Sequence, residues 1–371
     1  MLQNKIYLNY FVEIFKTFFT IILGLSLIAL TVRAVNFLEL MVDNGYSLST
    51  YFKYSFLNIF GIAPKFFPLA FLIALAIFII KNTNNNEFVI LWTTGVKKIV
   101  IVNLLLFSSF VVMILYLFFS TYLTPFALNQ SREMISNSKF DSFLPTIRTQ
   151  QFSDSFKGLT FFVEKKIDNE IKNIFIYDTG NNLKNFSSSS ANFDNTTIIA
   201  EKGIVKKKGL FLINGEIISA RKTEKKSETI KFDQLNIDLK DLQTTVIKKP
   251  KLQETSTLKL LGCFTLKNFD ENICRGGAKD EIIPVLARRL VLPLYIPVIT
   301  IFCSLLLFIK KNSFINKINV FTLCFIFLVL IELILKYTGT NIILRNIYFF
   351  LPILLTILVY PLLMYRFSKF G

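Results

Sequence analysis

The sequence predicts a membrane α-helical protein, six spans arranged as three plus three, with an all-β domain inserted between the two sets. Three observations carry that fold class. The 371 residues are 53% hydrophobic, with 41 Phe and a mean hydropathy of +0.52, far too apolar for a soluble globule. Apolar residues gather in runs long enough, at about 1.5 Å rise per residue, to cross a hydrocarbon core of about 30 Å. Between the third and fourth runs the chain turns polar and breaks into short alternating stretches, the period-two pattern of strands.

The first span is read over about Phe11 to Val32. No small-residue cleavage site follows it, so it is expected to be retained and not removed as a signal peptide. A polar connector with Arg33, Asn36, Glu39, Asp43 and Gly45 leads to the second span, about Phe56 to Ile80. Pro64 and Pro68 should kink that span, and neighbouring helices must then satisfy the carbonyls they free. The third span covers about Ile99 to Tyr122, with Pro125 to Ser138 as a helical extension. The last three are placed at about Leu290 to Ile309, Ile318 to Tyr337 and Ile347 to Tyr365. Domain boundaries follow at 1–123, 124–280 and 281–371.

Within the insert, LTFFVEK, IKNIFIYD, TTIIAEKGIV, GLFLING, EIISAR and TIKFDQLNID alternate or nearly alternate. Turn residues such as Asp178 to Asn182 and Asn214-Gly215 are expected to separate them, in a sandwich or jelly roll. Cys263 and Cys274 lie near the end of this insert, while Cys303 and Cys324 fall in apolar spans as small packing residues.

The bridge after the second span, NNNEFVILWTTGVKK from Asn84 to Lys98, has a short helix written into it at 84–95. Asn84 is a good N-cap, Glu87 stands where a capping-box acid belongs, and Gly95 can close the other end. Phe88, Leu91 and Trp92 follow i, i+3, i+4 spacing and form one apolar face. Such a helix either lies on the lipid headgroups with Trp92 as anchor or docks on a cytosolic motor.

The formal charge of +17, from 42 Lys and Arg against 25 Asp and Glu, would suggest nucleic acid in a soluble protein. Here the cations flank apolar segments, so a lipid surface is the expected partner and nucleic acid is not. Lys5, Lys81, Lys97, Lys98, Lys310, Lys311, Lys317, Arg366 and Lys369 fall on one side, which the positive-inside rule makes the cytosol. Both termini are then cytosolic and the insert lies across the membrane, in the periplasm of a double-membraned bacterium. On that side a disulfide between Cys263 and Cys274 is favoured over two free thiols.

A second tier of cations breaks the rule: Arg33, Lys65, Arg132, Arg288, Arg289, Lys336 and Arg345. Lys65 lies about 24 Å along the helix from Lys81, near the opposite headgroup level. Taken singly these residues read as snorkelling anchors, with Glu332 and Lys336 paired at i, i+4. Taken as a tier they read as a phosphate-binding collar for an acidic lipid, with Arg33 and Lys65 foremost. The chain has no His and no paired carboxylates within the spans, so neither catalysis nor a metal or other cofactor is expected. Extracting acyl chains from a bilayer costs about 0.8 kcal/mol per methylene, so moving a multi-chain lipid needs external work. No Walker-type glycine loop occurs here, which places any ATPase in another subunit.

The succession of three spans, a β insert and three spans, with Pro64, Pro68 and then NEFVILWTTG, resembles the LptF/LptG permease family of the lipopolysaccharide export transporter. IIAEKG (198–203) and LING (212–215) are similar to the family's β-domain turns, and ARRLVLPL (287–294) to its approach to the fourth span. The likeness covers essentially the whole chain. It implies a permease that takes lipopolysaccharide from the inner membrane's outer leaflet and passes it through a periplasmic jelly roll. It also implies a heterodimer with a paralogous permease, a cytosolic LptB-like ATPase dimer, and LptC-like and LptA-like periplasmic partners. The lipid would enter between the first span of one permease and the fifth of the other. The family's coupling-helix Glu and Gly match Glu87 and Gly95, and its basic position ending the first span matches Arg33. The last connector, TGTNIILRN, lacks the Pro-and-Trp-containing sequence of LptG, which favours the LptF-like branch. The alternative function is a mechanotransmitting membrane subunit whose periplasmic domain works on a soluble client without lipid.

Overall fold

The computed structural model describes residues 2–42, 47–146, 149–156, 158–167, 170–179, 195–206, 209–220, 227–238, 251–265, 274, 278–309 and 313–369. Six of its helical segments are long and apolar enough to cross a membrane. The first two, α1 (Leu2–Val42) and α2 (Leu48–Asn84), outrun the spans expected from hydropathy. No Gly or Pro interrupts the chain from Arg33 to Val42, so the helix continues through residues expected as a connector. Ser47 opens α2, its hydroxyl oxygen accepting the Thr50 N–H at 3.3 Å. A short helix α3 (Glu87–Thr93) precedes α4 (Lys98–Phe118), which passes through a π turn at Phe119–Leu123 into α5 (Thr124–Thr146). After the strands come α6 (Thr257–Thr265), α7 (Ala278–Leu290), α8 (Tyr295–Cys303), α9 (Phe314–Tyr337) and α10 (Ile342–Lys369). The fourth span begins earlier than Leu290, at Asp280, and is broken by 3₁₀ turns at Leu292–Leu294 and Ser304–Phe308. Pro293 removes an N–H where a continuous helix would need one.

The chain forms two compact units. One comprises Met1–Val32, Leu57–Gln130 and Pro250–Gly371; the other, Arg33–Phe56 and Ser131–Lys249. In the first, the fourth span is 78% buried and the second 67%, whereas the first, fifth and sixth are each 17% buried. The second and fourth spans are therefore the packed centre, and the others present apolar side chains outward. Phe18, Phe71, Phe78, Tyr116, Tyr295 and Tyr348 are fully buried, and Cys303 and Cys324 lie among the same core residues. Cys263 and Cys274, the latter beyond α6, are joined in a disulfide with Cα atoms 5.5 Å apart.

Each proline in a helix deprives the carbonyl four residues earlier of its donor, which in lipid has to be replaced. Pro64 frees Phe60, whose carbonyl accepts from the Thr124 hydroxyl at 2.8 Å, the neighbour-helix rescue the sequence calls for. Pro125 cannot serve Thr121, whose carbonyl accepts from the Thr257 hydroxyl at 2.9 Å. Pro352 frees Tyr348, and the Tyr295 hydroxyl donates to it at 2.8 Å. Pro284 frees Asp280, and the backbone of Gly339 comes against that oxygen so closely that a Cβ would stand 1.9 Å from it. Tyr295→Phe should therefore strand a buried carbonyl, lowering stability by about 1–3 kcal/mol. The thermal unfolding midpoint in detergent checks this; an unchanged midpoint would show that the hydroxyl is not needed.

In the second unit, the Tyr51 hydroxyl donates to the Ala34 carbonyl at 3.1 Å and the Phe37 and Tyr54 rings meet at 4.7 Å, joining α1 to α2. The strands are β1 (Phe152–Phe156), β2 (Leu159–Ile167), β3 (Glu170–Asp178), β4 (Asn195–Lys206), β5 (Gly209–Ala220) and β6 (Ser227–Asp238). They form one antiparallel sheet in sequential order, so the insert is all-β, with no crossover among the described strands. The inward face changes parity along each of the longer strands. Buried positions run Ile198 and Ala200, then Gly203 and Val205 in β4; they run Leu210 and Leu212, then Ile217 and Ser219 in β5.

The change falls on one transverse row, Glu164, Asn173, Glu201, Asn214 and Asp233, at which the paired register skips in every neighbouring strand. Asn173 and Asn214 hold φ of 52°, and their side-chain amides donate to Glu164 and to Glu201, the latter at 3.4 Å. The sheet is creased along that row, and both flanks turn apolar side chains to the same core. Asn214-Gly215 thus lies mid-strand at the crease, with the β4–β5 register unchanged on either side, and is not the hairpin turn expected; GLFLING and EIISAR are one strand. The IIAEKG and LING segments likewise lie at the crease, within β4 and β5. Asp178 closes β3, while 180–182 of the other expected turn lie outside the described residues.

Candidate functional site

One candidate site is the bridge helix. Asn84 does not cap it: that residue ends α2 and accepts a bond from the Lys317 ammonium at 3.2 Å. The N-cap is Asn86, at φ 61° and without a side-chain cap bond, because α2 continues through the asparagines for longer than the capping pattern suggests. The other end closes as expected. Gly95, at φ 91°, donates to the Trp92 carbonyl at 3.1 Å and Val96 to the Leu91 carbonyl at 3.0 Å, the paired bonds of a left-handed C-terminal stop.

Phe88 and Leu91 are buried, against this chain's own helices. The Phe88 ring lies 6.0 Å from Phe78 and 6.3 Å from Tyr10, and it stacks at 6.1 Å on Trp92. The Lys98 ammonium sits 5.0 Å over the Trp92 ring. Glu87 accepts from the Tyr10 hydroxyl at 3.4 Å, and Glu13 on the same helix pairs with Lys81 at 2.6 Å. The apolar stripe Phe88, Leu91 and Trp92 therefore seats α3 on α1 and α2. The surface it offers outward is Val89, 47% exposed, and Ile90, 59% exposed. Tyr10 and Glu13 escaped the sequence reading; the signal was an aromatic and an acid three residues apart at the start of the first span.

The second candidate is a cavity of about 350 Å³ in the same unit, within the size range of ligand sites. Its walls come from α2 at Gly61, Pro64 and Lys65, from α4 and the π turn at Tyr116 and Ser120, from α7 at Pro284, Arg288 and Arg289, and from α9 at Glu332 and Lys336. The kinking prolines Pro64 and Pro284 both line it. Three members of the expected collar, Lys65, Arg288 and Lys336, are thus brought to one place. Glu332 meets Arg288 at 2.8 Å and not Lys336, because α7 packs beside α9 and offers a guanidinium closer than the next turn does. Among the described residues, four cationic side chains and one carboxylate line the cavity.

Arg289 has a different job. It is buried, donating to the Thr255 and Gln253 carbonyls and to the Thr257 hydroxyl, each at 2.9 Å, and so fixes the chain leading back from the sheet. The remaining collar residues are not cavity residues. Arg345 is half-buried in the first turn of α10, whose N-cap Asn341 accepts the Ile343 N–H at 2.9 Å. Arg33 is exposed on α1 and Arg132 half-buried on α5, both in the other unit. Among the described residues no group of three or more His, Cys, Asp or Glu is placed to hold a metal ion.

Six membrane-length helices, four of which line a cationic cavity, with an antiparallel six-stranded sheet inserted midway in the chain, define a multi-pass membrane protein of the permease class. Over residues 10–369 the chain matches the lipopolysaccharide export system permease LptF/LptG family, and it belongs to that family. The match takes LptF and LptG together. No curated protein matches the chain.

Proposed function

We propose that this chain is the permease subunit of an ATP-driven lipopolysaccharide extractor. In this reading residues 1–123 and 281–371 form the body in the inner membrane, with both termini cytosolic, and 124–280 form the periplasmic domain that receives the lipid. The observation that carries it is that one helix, α2, both lines the cationic cavity through Lys65 and ends at the bridge bearing α3. Those points are about 28 Å apart along the helix, close to one hydrocarbon thickness. The Asn84–Lys98 bridge then faces a cytosolic LptB-like ATPase dimer, and Lys65, Arg288 and Lys336 face the phosphates of an acidic lipid. Arg33, Arg132 and Arg345 are further candidates for headgroup contacts.

The sparse burial of the first and fifth spans supports a lateral opening shared with a paralogous permease. The sheet would pass lipid on to LptC-like and LptA-like partners, with the Cys263–Cys274 bridge on the oxidising side. The cavity's cations favour this reading over a mechanotransmitter acting on a soluble client. Detergent-free purification of the full assembly, with mass identification of every protein and lipid, is the test. Lipopolysaccharide together with a cytosolic ATPase is expected; a periplasmic protein client with no acidic lipid would overturn the proposal.

A further inference from the structure

A second recess, of about 620 Å³, opens between α4, α8 and α10. It shares no residue with the cationic cavity, and among the described residues none of its lining comes from α1 or α9, the spans assigned to the lateral opening. Phe107, Phe110 and Ile357 give it apolar walls and are exposed at its mouth. One end is polar. The Tyr360 hydroxyl donates to the Asn103 side-chain oxygen at 3.0 Å, tying α10 to α4. That bond leaves the two N–H donors of the Asn103 amide, which among the described residues meet no acceptor.

Depth identifies what reaches them. Asn103 stands about 7.5 Å along α4 from Lys98, and Phe110 about 18 Å. A bilayer's interfacial layer is about 5–8 Å thick on each side, and one leaflet's hydrocarbon about 15 Å deep. With Lys98 at headgroup level, the polar end falls where the ester linkages of a phospholipid lie, and the apolar walls run along the acyl chain beneath.

We propose that the groove holds one resident glycerophospholipid from the leaflet on the Lys98 side. An ester carbonyl accepts from the Asn103 amide, and the acyl chain lies between Phe107, Phe110 and Ile357. A transmembrane helix passing the same point could not substitute, because its carbonyls are already bonded within the helix. The lipid braces α10, whose span is only 17% buried, against α4 and α8. It is a fixed component and not cargo, so the inference goes beyond the export reading, which serves only to make that leaflet the cytosolic one.

The test uses the full chain, delipidated in dodecyl maltoside, and reads the unfolding midpoint as diacyl phosphatidylcholine or its dialkyl ether analogue is added. The two lipids differ in the ester carbonyls. The diester is expected to stabilise the protein at about fivefold lower content, the strength of one ordinary hydrogen bond. Asn103→Leu, close in shape and at an exposed position, should fold normally and erase that discrimination. Ile357→Trp, which fills the slot, should blunt the response to both lipids at least tenfold. In membranes, a benzophenone amino acid at position 357 should form an adduct with the mass of a phospholipid. Equal response to diester and diether, discrimination that survives Asn103→Leu, or a protein adduct at 357 would overturn the proposal. Failure of the export reading would show instead as absence of lipopolysaccharide from the purified assembly, which none of these readouts measures.

Discussion

Gly339→Val is expected to strip the folded protein from the membrane fraction. A Cβ at this position would lie 1.9 Å from the Asp280 carbonyl oxygen and 3.2 Å from Cγ of Pro284. The first obstacle is backbone inside α7, so no side-chain rotation relieves it; the connector between α9 and α10 would have to retreat by more than 1 Å. Ordinary overpacking costs about 1–3 kcal/mol. Here the obstacle is backbone, so the cost lies at the upper end of that range or beyond it, a large part of the about 5–15 kcal/mol by which a folded protein is ordinarily stable. Membrane-fraction abundance and the detergent unfolding midpoint measure it. Gly339→Ala should show the same defect in milder form, and a Gly339→Val protein with wild-type abundance and midpoint would refute the close-approach account.

The second large effect is at the bridge helix. Phe88→Ala empties a space walled by Tyr10, Phe78 and Trp92, a loss of about 3–5 kcal/mol for a fully buried ring. A seven-residue helix cannot hold its own shape in water, so α3 should unseat. The bundle's centre, built on the second and fourth spans, should keep the protein in the membrane at close to normal amounts. Co-purification of the ATPase and transport should drop at least tenfold. Ile90→Asp probes the outward surface and should produce the same uncoupling with no change in midpoint. Glu87→Lys removes the acceptor for Tyr10 and sets a cation at the helix N-terminus, so it should uncouple as well. Normal ATPase recovery with both Phe88→Ala and Ile90→Asp would remove α3 from the force path.

Much of this architecture is legible in the sequence because lipid imposes a strict rule on composition. Membrane-length apolar runs, the polar insert and its alternation, and the stop at Gly95 can all be read from residue order alone. What could not be read depends on which helices become neighbours. Phe88, Leu91 and Trp92 form a correct amphipathic stripe, yet periodicity cannot say whether a stripe faces another protein or α1 of its own chain. Glu332 has Lys336 at the favoured local spacing, and only the packing of α7 beside α9 gives it to Arg288. Asn214-Gly215 is the strongest two-residue hairpin signal in the insert, and it lost because a left-handed asparagine can crease a continuous strand as readily as it makes a turn. Of the expected collar, Lys65, Arg288 and Lys336 line one cavity. Arg289, one position along, has its donors turned to backbone carbonyls.

The rescued carbonyls also carry a message about inheritance. Thr124 owes its hydroxyl to Pro64, Thr257 to Pro125 and Tyr295 to Pro352. The dependence runs from the proline to its donor: a proline kept without the hydroxyl leaves an oxygen stranded in oil. Descendants of this gene should therefore keep each donor wherever they keep its proline, and moving a proline alone between homologues should damage the recipient more than moving both.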